Sequence, residues 1–136
     1  MTEPEYSNEV ILVFGATGNQ GGAVIERLLY KRIRSRASFI IRALVRNSSA
    51  EHVIKMKRSG VEIYQGSMDD SASIKAALKD VTRVFLNTTY DKHGGELWPV
   101  EEKRGLTVVN ELVQLSSLKQ VIYSTLPAIS GYSEGA

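Results

Sequence analysis

The chain has 136 residues, 43% of them hydrophobic and 24% charged, with a net charge of +2. That length supports one domain with a substantial core, and so small a charge argues against a nucleic-acid partner or a membrane surface. Cysteine is absent, which excludes disulfides, thiolate metal sites and cysteine nucleophiles. His52 and His93 stand alone, without metal-ligand spacing. No apolar run approaches the about 18 residues of a membrane span. The polar, acidic start (Thr2-Glu-Pro-Glu5) is unlike a signal peptide, so a cytoplasmic location is expected, with the nucleus also open to it.

Residues 1–8 read as a polar tail. Glu9 to Phe14 reads as the first strand, with a run of five apolar residues from Val10 to Phe14. It ends at a glycine-rich turn, Gly15-Ala-Thr-Gly18-Asn-Gln-Gly21-Gly22, and a helix pattern follows at once. Strand, glycine turn, helix is the setting a dinucleotide fingerprint needs. Gly15 lets the chain turn out of the strand. Gly18 lets the backbone approach a pyrophosphate. Gly21 and Gly22 let the helix lie close to the strand. A helix starting near Asn19 or Gln20 points its free N–H groups and positive dipole end at the phosphates. Gly15, Thr17, Gly18, Asn19, Gln20 and Gly21 are therefore candidate cofactor-binding residues. The spacing is G-x-x-G-x-x-G, one residue off the usual pattern, and a glycine turn that serves packing alone is the competing reading.

The first helix carries an apolar stripe through Ala23, Val24, Ile25, Leu28 and Leu29 and runs to about Ile33. The basic residues between Lys31 and Arg36 read as a solvated helix end. Phe39 to Val45 is the second strand, apolar on both faces as a covered parallel sheet requires. Ser48 or Ser49 caps a second helix from Ala50 to Arg58, stopped by Gly60. Val61 to Gln65 is the third strand, and Asp70 or Ser71 caps a helix running through Leu78. Arg83 to Asn87 is the fourth strand and Tyr90 to Gly95 a loop. Glu96 to Leu115 is the longest helix, with Pro99 in its first turn. Gln120 to Ser124 is the fifth strand, and Leu126 to Ala136 reads as loop. Alternating strands and helices imply right-handed crossovers and a doubly wound α/β Rossmann-type sheet, five parallel strands in the order 3-2-1-4-5, with no separate substrate domain.

Several of these stretches resemble one family. The glycine turn Gly15-Ala-Thr-Gly-Asn-Gln-Gly21 is similar to the opening of the NmrA-like family, a branch of the atypical short-chain dehydrogenases. Arg42-Ala-Leu-Val-Arg46-Asn47, Gly60-Val-Glu-Ile-Tyr-Gln-Gly66-Ser-Met-Asp69-Asp70, Val84-Phe-Leu-Asn87-Thr88-Thr89 and Val121-Ile-Tyr-Ser124 resemble its second to fifth strands. The likeness runs from about Val10 to the last residue and covers the front part of a typical member.

Ligands of such sheets bind at the carboxyl ends of the strands. A cofactor-selecting residue is expected roughly 20 residues beyond the fingerprint, and an acid there grips the ribose hydroxyl of NAD. This chain offers Arg46, with Asn47 and Ser48, and a guanidinium pairs well with a 2′-phosphate. NADP is therefore favoured over NAD, and the resemblance implies the same role for an arginine at this place. Ser67, Met68 and Asp69 are expected to border the adenine, Met68 against its face and Asp69 accepting from its amino group. Many relatives carry an acid directly after the glycine, where this chain has Ser67. In the competing reading Asp69 and Asp70 only cap the next helix. Asn87, Thr88 and Thr89 close the fourth strand on the ribose and nicotinamide side.

Short-chain dehydrogenases use a tyrosine whose pKa is lowered by a lysine four residues later. No Tyr-x-x-x-Lys occurs in these 136 residues. The resemblance implies that a Ser or Thr near the fifth strand holds a substrate oxygen. Ser124 and Thr125 occupy that place and are the catalytic candidates; a structural hydroxyl is the competing reading for Ser124. The leading expectation is a cofactor-responsive NADP-binding regulator or binding module. The alternatives are an oxidoreductase whose substrate pocket is truncated or supplied by a partner, and a remnant without independent activity. The fourth and fifth strands are apolar on both faces, so the uncovered face predicts self-association, a regulatory protein partner, or marginal stability.

Overall fold

In the computed structural model the described residues are 8–36, 38–87 and 97–124, with only the backbone course given for 97–102. The elements are β1 (Val10–Val13), α1 (Asn19–Ser35), β2 (Ile40–Val45), α2 (Glu51–Arg58), β3 (Glu62–Gln65), α3 (Ser71–Ala77), β4 (Arg83–Leu86), α4 (Leu97–Leu112) and β5 (Gln120–Tyr123). All four pairings are parallel and the sheet order is β3-β2-β1-β4-β5. Both the order and the element types match the sequence reading. Val10 lies opposite Ile40, Ile11 opposite Arg83, Arg42 opposite Glu62 and Val84 opposite Val121.

The pleat divides the apolar residues between two cores. Leu12, Phe14, Leu44, Val84 and Leu86 face α3 and α4, meeting Ile74, Val108 and Leu112. Ile11, Val13, Ile41, Ala43 and Val45 face α1 and α2, meeting Ile25 and Val53. Covering both faces explains the unbroken apolar runs of β1 and β2. Each fully buried side chain of Leu12 size contributes about 2 kcal/mol. In α1 the packed residues are Ile25, Val24, Leu28 and Leu29, whereas Ala23 is exposed and lies off the expected stripe.

One local expectation is corrected and one is met. Neither Ser48 nor Ser49 caps α2; Ala50 is its N-cap, and no side chain bonds there. The turn before it is held by Asn47, whose Oδ1 accepts from the backbone N–H of Ser49 at 2.9 Å. That local bond competes with a serine cap for the same turn. Asp70, by contrast, caps α3 as expected, accepting from the Ala72 N–H at 3.1 Å and from the Ser73 hydroxyl at 2.7 Å. These bonds hold its carboxyl below the ordinary range, the Ser73 bond most.

Charged groups also sit inside the fold. Arg42 on β2 is buried, 7% exposed. Its Nη1 donates to the carbonyls of Ala77 and Lys79, both at 2.7 Å. It pairs with Glu62 at 3.4 Å and lies 4.7 Å over the Tyr64 ring. A cation thus satisfies the carbonyls at the C-terminal end of α3, where the helix dipole favours positive charge. At the opposite edge from the strand C-termini, Glu9 accepts from Lys119 Nζ at 2.8 Å and from the Thr82 hydroxyl, with Arg83 Nε at 3.5 Å. This one carboxylate ties together the starts of β1, β4 and β5.

Candidate functional site

Because every strand is parallel, all five C-terminal ends meet at one edge, and the predicted residues gather there. Residues 17–20 form an exposed rim between β1 and α1, while Ala16 beneath them is buried. Gly15 has φ +64°, a left-handed conformation that glycine adopts without strain. Gly21 makes the close approach. A Cβ there would stand 2.1 Å from the Gly15 carbonyl oxygen and 2.9 Å from Ala16 Cα, so only glycine lets α1 lie this near the loop. Gly22 does not share that task, since its Cβ would meet only the Ala16 carbonyl oxygen at an ordinary 3.6 Å. Gly18 is the N-cap of α1, and the first turn has neither a side-chain cap nor an acidic residue. Asn19 and Gln20 open the helix. Nothing negative competes there with an anion drawn by the dipole and the N–H groups.

The strand ends bring the other candidates alongside. Arg46 and Asn47 leave β2 exposed at the edge, and Arg46 has no hydrogen-bond partner among the described residues. No acid stands in the stretch directly after β2 before Glu51. Asn87 leaves β4 against the glycine turn, its carbonyl oxygen 3.0 Å from where a Gly15 Cβ would be. Ser124, just past β5, donates from its hydroxyl to Gln20 Oε1. The bond joins the start of α1 to the end of β5. Thr88, Thr89 and Thr125 lie outside the described residues.

The loop after β3 departs in detail from expectation. Met68 is turned into the core beside Leu44 and Ile74. The Ser67 hydroxyl accepts from the Asp69 N–H at 3.1 Å, forming a local turn. Asp69 caps nothing. Its carboxylate takes a forked pair from Arg104 on α4, Nε to Oδ1 at 2.9 Å and Nη2 to Oδ2 at 3.2 Å. The Arg104 hydrogen bonds hold the Asp69 carboxyl below its ordinary range, with the charges of Arg104 and Arg46 adding to the effect. Arg104 was not singled out from the sequence. Its signal was spacing: with Val108 and Leu112 it recurs every four residues on the face of α4 that enters the core.

Glycine loop, uncapped helix start and exposed arginine together fit a nicotinamide dinucleotide. Among the described residues no three His, Asp or Glu cluster as a metal site requires. No helix among them is long and apolar enough to cross a membrane.

The model of the NmrA-like family matches residues 7–136. The chain belongs to the NmrA-like family. Curated NmrA-like relatives include the NmrA-like family domain-containing oxidoreductase cpsB of Aspergillus campestris, 28% identical over 99% of this chain. Another is the oxidoreductase notA of an Aspergillus species, 28% identical over 95%. The chain spans 39% of the first and 37% of the second. Among solved structures it resembles triphenylmethane reductase of Citrobacter complexed with NADP(H), with TM-score 0.66 and 26% identity over 84% of this chain and 36% of that one. The negative transcriptional regulator NmrA in complex with NAD superposes with TM-score 0.78 at 19% identity, over 95% of this chain and 36% of that one, a likeness of fold. Two of these solved structures are complexes with a nicotinamide dinucleotide, NADP(H) in the reductase and NAD in NmrA.

Proposed function

We propose that this NmrA-like chain binds NADP(H) across the C-terminal edge of β1, β2 and β4 and serves oxidoreduction. The observation that carries the reading is Arg46, exposed at the end of β2 where an NAD-selective site presents a carboxylate. A planar guanidinium offers a 2′-phosphate two parallel donors. The α1 N-terminus holds the pyrophosphate, and Asn87 lines the nicotinamide ribose. When bound, the dinucleotide supplies or accepts a hydride. The chain's own part is to hold it and to offer polar groups, Ser124 and Gln20, to a substrate oxygen or to the carboxamide. The curated relatives named as oxidoreductases support this direction.

A cofactor-responsive regulator is the second reading. It is favoured by the lack of any Tyr-x-x-x-Lys proton donor in these 136 residues, and a partner would then read the cofactor state through an exposed surface such as β5. Incubating the chain with NADPH and a panel of quinones, imines and carbonyl compounds separates the two. NADPH consumption that is lost in Arg46→Asp supports oxidoreduction. Tight binding with no turnover of any acceptor, and different affinities for NADP and NADPH, favours the regulator.

A further inference from the structure

The Asp69–Arg104 pair joins two unequal environments. The Asp69 side chain is 50% exposed at the cofactor edge, whereas the Arg104 side chain is 6% exposed beneath it. Arg104 thus acts on the edge through the carboxylate it holds. On the open side, Arg46 also acts on that carboxylate. Asp69 is thus paired with buried Arg104 at the corner between β2 and β3, where Arg46 stands exposed at the end of β2. Were Arg104 neutral, Asp69 and a phosphate placed beside Arg46 would compete for the one positive charge of Arg46.

We propose that Arg104 is a remote specificity residue: by cancelling Asp69 in a forked pair it leaves the β2–β3 corner positive and suited to a phosphorylated adenine ribose. The inference rests on the NADP(H) reading and adds a determinant that stands on α4, away from the cofactor. Arg104 positions and neutralises; Arg46 makes the contact. Asp69 accordingly acts as an internal counter-ion, and the adenine amino group is not needed to explain its presence. The effect falls on the phosphorylated dinucleotide and spares the other, because only the 2′-phosphate brings a further negative charge to this corner.

The test is calorimetric titration of NADP and NAD into the full chain and its variants, with thermal melting of each. Arg104→Met lowers NADP affinity by about tenfold while NAD changes little. Adding Asp69→Asn to Arg104→Met removes the exposed charge and restores the native preference. Asp69→Asn alone keeps one acceptor for Arg104 and raises the NADP-to-NAD ratio, so it decides the matter if Arg104→Met does not fold. A native preference for NADP that Arg104→Met and Asp69→Asn both leave unchanged overturns the inference alone. Native protein that binds neither dinucleotide, or both alike, overturns the NADP(H) reading and the inference with it.

Discussion

Replacing Glu9 by Gln removes one charge and almost no volume, and it tests whether a buried carboxylate staples three strands. The Glu9 side chain is 5% exposed. It accepts from Lys119 Nζ at 2.8 Å and from the Thr82 hydroxyl, with Arg83 Nε at 3.5 Å. A hydrogen bond to a charged group contributes about 1.5–3 kcal/mol. The Lys119 side chain is 61% exposed, so its share falls toward the about 0–1 kcal/mol of a surface pair. Gln keeps one carbonyl oxygen for Thr82 but turns an amide donor toward two cations. The net cost is about 2 kcal/mol. For a domain of 136 residues that lowers Tm by about 7 °C. The bonds from Lys119 and Thr82 hold the Glu9 carboxyl below its ordinary 4.5. A depressed carboxylate contributes stability that is complete above the unfolded value and is lost as pH falls through the folded one. The gap between native and Glu9→Gln should therefore be full near neutral pH and close below 4.5 as Glu9 itself protonates. The other carboxyls titrate in both proteins and cancel in the difference. Urea unfolding followed by circular dichroism, at several pH values, measures the gap. A difference under about 0.5 kcal/mol at neutral pH, or one that does not change with pH, would refute the reasoning.

Three further substitutions probe other parts of the fold. Arg42→Met leaves the carbonyls of Ala77 and Lys79 without their donor and should cost about 3 kcal/mol in urea unfolding; a loss below about 1 kcal/mol would mean that water replaces the guanidinium. Gly21→Val drives a side chain into the Gly15 carbonyl. It should cost about 3 kcal/mol and weaken dinucleotide binding in the same preparation, and wild-type stability would show that the loop yields freely. Ile122, 53% exposed on β5, should accept Lys at a cost below about 0.5 kcal/mol, with less concentration-dependent association in ultracentrifugation. A cost above about 1.5 kcal/mol would mean that this strand face is covered.

The strand–helix alternation, the sheet order and the gathering of Gly15, Gly18, Arg46, Asn87 and Ser124 at one edge were legible because they follow from local pattern and parallel topology. The exposure of β5 was legible too: Val121, Ile122 and Tyr123 are apolar and nothing described covers them. The buried charges were not legible. A pattern reading sends Glu9, Arg42 and Arg104 to the surface, and only partners far along the chain bring them inside. Glu9 and Lys119 are separated by 110 positions, Arg104 and Asp69 by 35. Local competition hid other features. Asn47 took over the turn where Ser48 or Ser49 was expected to cap α2. Of the two acids after β3, Asp70 caps the helix, which left Asp69 for a partner that no short-range pattern points to. Met68 illustrates the ambiguity of a single apolar residue in a loop, which suits an adenine face and a core equally well in sequence and here is packed in the core.

The central claim is that Arg46 and the glycine turn hold a phosphorylated dinucleotide. Calorimetric titration of the native chain and of Arg46→Asp with NADP and with NAD tests it most directly. The account predicts micromolar binding of NADP by the native chain, and loss of that binding in Arg46→Asp with NAD retained. Equal NADP affinity in the two proteins, or no binding of either dinucleotide by the native chain, would contradict it.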